Sequence, residues 1–256
     1  MNAKLFKIEC LTNLHVGSGD INYNIIDNEV EKDISGYPII HASGVKGAFR
    51  DAFGDSDKAN ADRIFGKVGS NGESSGGAYK FFDARFLSRP LRVGGNSKIA
   101  FVPVTTVAAV NDLLQTTSSF GCKCFGVEKL PEVNFGENEF LVCDKSIKNI
   151  EGSNKIGTID DSQVLDVLRK ILGSNFALAK DINDYALPVI ARNCLEEKKK
   201  NLWYEEFVPH HSCFWLIVLT PGDFEIDISS YIQFGGNASI GFGYTKVSEF
   251  TAEELK

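Results

Sequence analysis

The segment Gly235-Gly236-Asn237-Ala238-Ser239-Ile240-Gly241-Phe242-Gly243 places four glycines in nine residues near the end of a 256-residue chain. No helix or central strand tolerates that density, because each glycine adds to the entropic cost of ordering the backbone. The segment must therefore be a loop. Glycines so spaced let a backbone approach a ligand closely and turn its amides toward an anion, most often a phosphate. A second small-residue segment, Ser43-Gly44-Val45-Lys46-Gly47-Ala48-Phe49-Arg50, sets a lysine and an arginine at the start of an expected helix. Two phosphate-seeking elements at opposite ends of one chain point to an extended polyanion such as nucleic acid.

The charge balance narrows this. A net charge of −7 argues against a free-standing nucleic-acid binder, which is usually basic, but not against a local basic track. Between Tyr79 and Lys98 stand Lys80, Arg85, Arg89, Arg92 and Lys98 against Asp83 alone. The acidic excess lies in Glu29 to Asp33, Asp51 to Asp62 and Glu249 to Glu254, where it can face water or partner subunits. The longest apolar run, Cys213 to Leu219, has strand length, and no run reaches the roughly 18 residues of a membrane span. The first residues carry no signal-peptide core. A soluble, cytoplasmic protein without membrane association is expected. Of six cysteines only Cys122 and Cys124 are close, a poor zinc signature, so reduced and mostly buried thiols are expected.

Hydrophobic spacing gives a first strand over Leu5 to Val16, then a polar loop from Asp20 through Asp33 and a turn at Gly36-Tyr37-Pro38. A helix is expected over Val45 to Phe53 with Ser43 as its N-cap. Gly66 to Gly77 reads as a loop, Phe81 to Leu91 as a strand and Thr105 to Leu114 as a helix. Gly121 to Lys155 resembles an inserted hairpin or lobe. Ser162 to Leu172 is an amphipathic helix capped by Ser162. Phe214 to Thr220 is a buried strand, Ile228 to Phe234 a short helix or turn, and Tyr244 to Phe250 a final strand. Strand, helix and strand at each end suggest a single α+β domain with a ferredoxin-like (RRM-like) core, about 1–115 and 210–250, split by a lobe at about 116–209.

Five segments carry a family resemblance. They are Leu14-His15-Val16-Gly17-Ser18-Gly19; Pro38 through Arg50, with its S-x-x-K-G-x-x-R pattern; Phe82 through Arg92; Leu202-Trp203-Tyr204-Glu205-Glu206-Phe207-Val208-Pro209; and the glycine loop with Tyr244. In this order, across most of the chain, the sequence resembles the RAMP superfamily of CRISPR proteins. More narrowly it is similar to backbone subunits of type III-B (Cmr) effector complexes. The Asp83-Ala84-Arg85 and Trp203-Tyr204-Glu205-Glu206 segments favour the narrower likeness. Phe242 departs from the pattern, since a basic or small polar residue is common there in relatives, and one phosphate contact is expected to be missing.

The resemblance implies a subunit that polymerises along a CRISPR guide RNA with other Cmr subunits and further copies of itself. It implies a thumb-like hairpin that displaces a base at regular intervals, and cleavage of the complementary target RNA opposite each displaced base. By this likeness cleavage depends on a divalent cation, Mg²⁺ or Mn²⁺, and uses Asp27. That residue binds or orients the cation, or helps activate a ribose 2′-hydroxyl. From the residues alone Asp27 reads first as a solvated loop carboxylate among Glu29, Glu31 and Asp33, and only the resemblance turns it into a catalytic candidate. The guide-contacting set is Ser43, Lys46, Arg50, Arg85, Gly235, Gly236, Asn237, Gly241 and Gly243. Lys46 and Arg50, four apart, share a helix face near an N-terminus. His15, Tyr204, Glu205 and Glu206 stand as accessory candidates, with packing and ion pairing the alternative for each. A non-catalytic guide-binding scaffold and a guide-processing ribonuclease are the competing functions.

Overall fold

The computed structural model describes residues 1–17, 19, 25–53, 58–68, 74–94, 98–122, 124–137, 139–152, 155–182, 187–196, 199–222, 228 and 230–250. The expected loop at Asp20 therefore begins outside the described residues, as does the acidic tail beyond Phe250. The chain is mixed α and β and forms two compact units, Met1–Arg85 with Leu187–His210 and Trp215–Glu249, and Phe86–Ala186 with His211–Phe214 and Phe250–Lys256.

In the first unit, β1 (Asn2–Cys10) buries Phe6, Ile8 and Cys10 and turns Lys7 and Glu9 outward. This is the period-2 pattern of a strand with one face on a core. It ends at Cys10, not Val16, because both Leu11 and Thr12 amides donate to the single Tyr244 carbonyl (2.9 and 3.2 Å), which breaks the ladder. β13 (Cys213–Thr220, from Trp215 on) lies beside β1 and is buried along nearly its whole length, as its unbroken apolar run requires of a central strand. β15 (Tyr244–Glu249) pairs antiparallel with β1, and β14 (Ser230–Gln233) pairs antiparallel with β15. The segment read as a short helix or turn is thus an edge strand, because pairing with β15 outweighs its weak local preference. The glycine loop is the connection of this β14–β15 hairpin.

Helix α1 (Ala42–Phe53) starts three residues before the expected Val45. Ser43 lies inside it and is not its cap. The Ala42 N–H donates instead to Asp83 Oδ1 (2.7 Å), a cap supplied from 41 residues away. Phe49 of α1 packs on Phe81 (5.4 Å) and edge-on to Phe234 (6.1 Å), just before the glycine loop. Helix α2 (Lys58–Phe65) adds Phe65, stacked on Phe81. The segment after it, expected to be a loop, contains the short antiparallel pair β3 (Gly66–Val68) and β4 (Ser74–Gly76). Two more short strands complete the sheet contacts of this unit. β2 (Ile39–Ile40) pairs with Ala84–Arg85, and β5 (Lys80–Phe81) pairs with β13. A long hairpin of β11 (Val189–Glu196) and β12 (Lys199–Glu206) also belongs to it.

In the second unit, β6 (Ala84–Arg92, from Phe86 on) pairs antiparallel with β7 (Phe101–Thr106). β10 (Ala177–Ala179) lies parallel to β7 and antiparallel to β8 (Phe140–Val142), and β9 (Ile156–Thr158) runs parallel to β8. Helix α3 (Val107–Ser119) is capped by Thr106, which accepts from the Ala109 N–H. Helix α4 (Ser162–Leu172) buries Val164, Val167, Leu168 and Ile171 as its spacing predicts. Asp161, one residue before Ser162, is the true cap, because its carboxylate reaches the Val164 N–H (3.0 Å).

Candidate nucleic-acid interface

The base of the β11–β12 hairpin organises the first unit's polar residues. Tyr204, Glu205 and Glu206 end β12, and the 25–33 segment is stitched along them. The Asp27 and Asn28 amides both donate to the Tyr204 carbonyl (3.1 Å each), and the Glu206 amide donates to the Asn28 carbonyl (2.9 Å). Asp27 completes the seam, its Oδ2 accepting the Tyr204 N–H at 2.7 Å. Oδ1 has no hydrogen-bond donor among the described residues. The carboxylate is thus half-buried, held by one oxygen and open at the other.

The two following glutamates are buried and engaged. Glu206 is 3% exposed; its carboxylate accepts the Val30 N–H (3.0 Å) and pairs with the Lys32 ammonium. Glu205, also 3% exposed, accepts at Oε1 from the Arg192 guanidinium (3.0 Å) and the Asn237 amide group (2.7 Å). His15 is buried beside them, its Nδ1 2.7 Å from the Glu206 carbonyl. A carbonyl only accepts, so Nδ1 carries the proton and the neutral ring's acceptor is Nε2. Glu206 and His15 fasten backbone segments, and Glu205 joins two side chains from different elements. Tyr204, by contrast, keeps its side chain exposed.

The glycine loop docks on the same strand end. Gly236 N–H donates to the His15 carbonyl (2.9 Å), and Gly243 N–H to the Asn13 carbonyl (2.7 Å). Gly235 (φ +72°) and Gly243 (φ +82°) are required sterically, since a Cβ would collide with the His15 carbonyl and the Phe234 carbonyl respectively. The Gly241 amide turns back to Ala238. The amides of Asn237, Ala238 and Ser239, in succession on an exposed turn, have no acceptor among the described residues. Ala238 and Ser239 were not singled out by the sequence, which gives no sign of which amides in a glycine loop remain open.

Of the basic candidates, Lys46 is half-buried on α1 and makes no ion pair among the described residues, whereas Arg50 pairs with Asp62 at 3.5 Å. Ser43 is exposed in the first turn of α1. The Arg85 guanidinium lies over the Trp215 ring, 5.4 Å from its centroid. Arg89 is buried at 7% exposure, so the strip read from Arg85, Arg89 and Arg92 does not present three surface cations. Arg192, which had no flag in the sequence, is a half-buried cation of the hairpin, paired with Glu205. The donor set also bears on a divalent ion. No three His, Cys, Asp or Glu residues converge among the described residues. Asp27 Oδ1 offers one of the roughly six oxygens Mg²⁺ takes. The described residues do not build a resident cation site, and they suit only an ion that brings its other ligands with it.

The mixed α/β chain, with its glycine loop and the Asp27 carboxylate held on one strand end, belongs to the RAMP superfamily, whose sequence profile matches residues 7–246. Within that superfamily it is 24% identical to the CRISPR system Cmr endoribonuclease Cmr4 of Pyrococcus furiosus, over 97% of this chain and 96% of the relative. It is also 24% identical to the CRISPR system CMR subunit Cmr4 of Saccharolobus solfataricus, over 95% of each. Its fold superimposes on oligomeric Cmr4 from Pyrococcus furiosus with a TM-score of 0.72, 21% identity and coverage of 98% and 100%. A chain of the type III-B Cmr-beta complex bound to cognate target RNA gives 0.74, at 19% identity and coverage of 100% and 99%. Among the described residues no helix is long and apolar enough to cross a membrane.

Proposed function

We propose that this chain is a backbone subunit of a type III-B CRISPR effector complex, on a ferredoxin-like core, that binds guide RNA and cuts complementary target RNA at regular intervals. The observation that supports it most is the convergence on one strand end, Tyr204–Glu206, of the half-open Asp27 carboxylate and the loop with open amides. The amides of 237–239 and the unpaired Lys46 suit a ribose-phosphate backbone without reading its sequence. The β11–β12 hairpin is the thumb that displaces a base. Asp27 Oδ1 takes the proton of a ribose 2′-hydroxyl, whose oxygen attacks the adjacent phosphorus. The 5′-oxygen leaves with a proton from water, giving a 2′,3′-cyclic phosphate and a 5′-hydroxyl. Tyr204 N–H holds Oδ2 so that Oδ1 keeps its aim. A divalent cation held by RNA phosphates would supply charge neutralisation at the scissile group; were Asp27 Oδ1 to serve as its ligand, the proton would pass to water instead.

Two separate sets of exposed apolar side chains support self-assembly. Leu11, Tyr231, Ile240 and Tyr244 stand near the glycine loop, and Val189, Ile190, Leu202 and Tyr204 on the hairpin. Because the sets differ, contact between copies is head-to-tail and builds an open helical array. The deciding experiment is Asp27→Ala in the assembled complex. Guide binding and assembly should persist while target cleavage disappears. Unchanged cleavage would move catalysis to another residue, and a wild-type complex that binds target without cutting it would leave a scaffold.

A further inference from the structure

Glu205 ties the glycine loop to the strand that holds Asp27. Its Oε1 receives two donors from different elements, Arg192 of β11 and Asn237 of the loop, both within 3.0 Å. The Arg192 guanidinium also covers the Phe242 ring at 4.8 Å, and that ring meets Phe207 edge-on at 6.0 Å. The loop is therefore gripped at its start through Asn237 and at its end through Phe242. Glu205 follows Tyr204, whose amide fixes Asp27. A buried ion pair adds little to stability over a well-packed apolar substitute. Its directional bonds do something apolar contacts do not, which is to hold two segments at one relative orientation.

We infer that Arg192, Glu205, Phe242 and the Asn237 side chain are positioning residues, locking the open amides of 237–239 at a fixed place relative to Asp27. The role in cleavage rests on the reading of Asp27 given above. Phe242 contributes a cation–π clamp on Arg192.

Two variants isolate the lock. Asn237→Gly removes only the side chain, because glycine takes the residue's left-handed backbone (φ +64°) without strain. Phe242→Leu keeps apolar contact with Phe207 and deletes the ring under Arg192. In the assembled complex each should lose no more than about 8 °C of melting temperature, because one donor to a buried carboxylate or one ring contact is removed. Single-turnover cleavage at saturating target should fall roughly tenfold to a hundredfold, and cuts on end-labelled target should spread to neighbouring linkages. In the purified chain, hydrogen exchange should quicken in 236–243 and in 203–207 together. Wild-type rate and cut positions, or faster exchange confined to 236–243, would overturn the lock. Should Asp27→Asn complexes cut normally, the catalytic reading fails, and the exchange coupling alone decides whether the lock exists.

Discussion

The Tyr204 backbone amide donates to the Asp27 carboxylate at 2.7 Å across 177 residues of sequence. The bond divides the carboxylate's two oxygens between two jobs. Oδ2 holds the 25–33 segment against β12, and Oδ1 is left for chemistry. A carboxylate that both builds and reacts needs substitutions that separate the two roles.

Asparagine at position 27 keeps an oxygen for the Tyr204 N–H, whereas alanine does not. Asp27→Asn should therefore abolish target cleavage while retaining wild-type stability within about 0.5 kcal/mol. Asp27→Ala should lose cleavage and a further 1–2 kcal/mol or so, because a hydrogen bond to a charged group disappears. Urea unfolding of the isolated chain, alongside cleavage by the complex, separates these outcomes. Equal stability for the two variants would mean that the 2.7 Å bond does not hold the segment.

Lys46 and Arg50 look equivalent in sequence but differ in their partners. Lys46 is unpaired among the described residues, while Arg50 is engaged by Asp62. Lys46→Glu should weaken guide binding regardless of guide sequence and lower the slope of log affinity against log salt by about 1. Arg50→Ala should do less, and Asp62→Ala, by freeing Arg50, should tighten binding slightly. Filter binding over a salt series tests all three, and a loss confined to particular guides would contradict phosphate contact.

Local patterns made some of this legible. The apolar stripe of α4 and the unbroken run of β13 report burial directly, and four clustered glycines can only be a loop. The start of α1 was not legible, because its cap is Asp83, distant in sequence. Nor was β14, which becomes a strand only through its partner β15. The glycine loop and Lys46 stood out through residue type and spacing and Asp27 through family likeness, but the engagement of Glu205 and Glu206 did not stand out at all. A buried glutamate and a solvated one read alike until the donors, here Arg192, Asn237, Val30 and Lys32, are brought in from other segments.

The loop glycines should separate by alanine substitution. Gly243→Ala and Gly235→Ala combine a positive φ with a collision against a carbonyl, and each should cost about 2–4 kcal/mol. Gly241→Ala meets open space but has φ +84°, so about 1–2 kcal/mol is expected. Gly236→Ala has neither problem and should melt like wild type. Thermal denaturation of the four variants checks the order. If Gly236→Ala nevertheless weakens guide binding, RNA approaches the backbone at that residue.

Glu206 gives the last test, of whether a buried carboxylate serves the loop or the chemistry. Its side chain accepts the Val30 amide at 3.0 Å and neutralises Lys32, at 3% exposure. Glu206→Gln preserves an acceptor for Val30 and gives up only the charge pairing. Lys32 is more exposed than Glu206, so its charge can be rehydrated, and the loss should be about 1 kcal/mol. Glu206→Ala leaves the Val30 N–H without its acceptor and opens a void, for about 2–4 kcal/mol. Because the loop from Asn28 to Val30 hangs on this strand end, cleavage should fall in step with stability and recover in the glutamine variant. Full stability of the glutamine variant with lost cleavage would instead make the Glu206 charge a direct participant in the reaction.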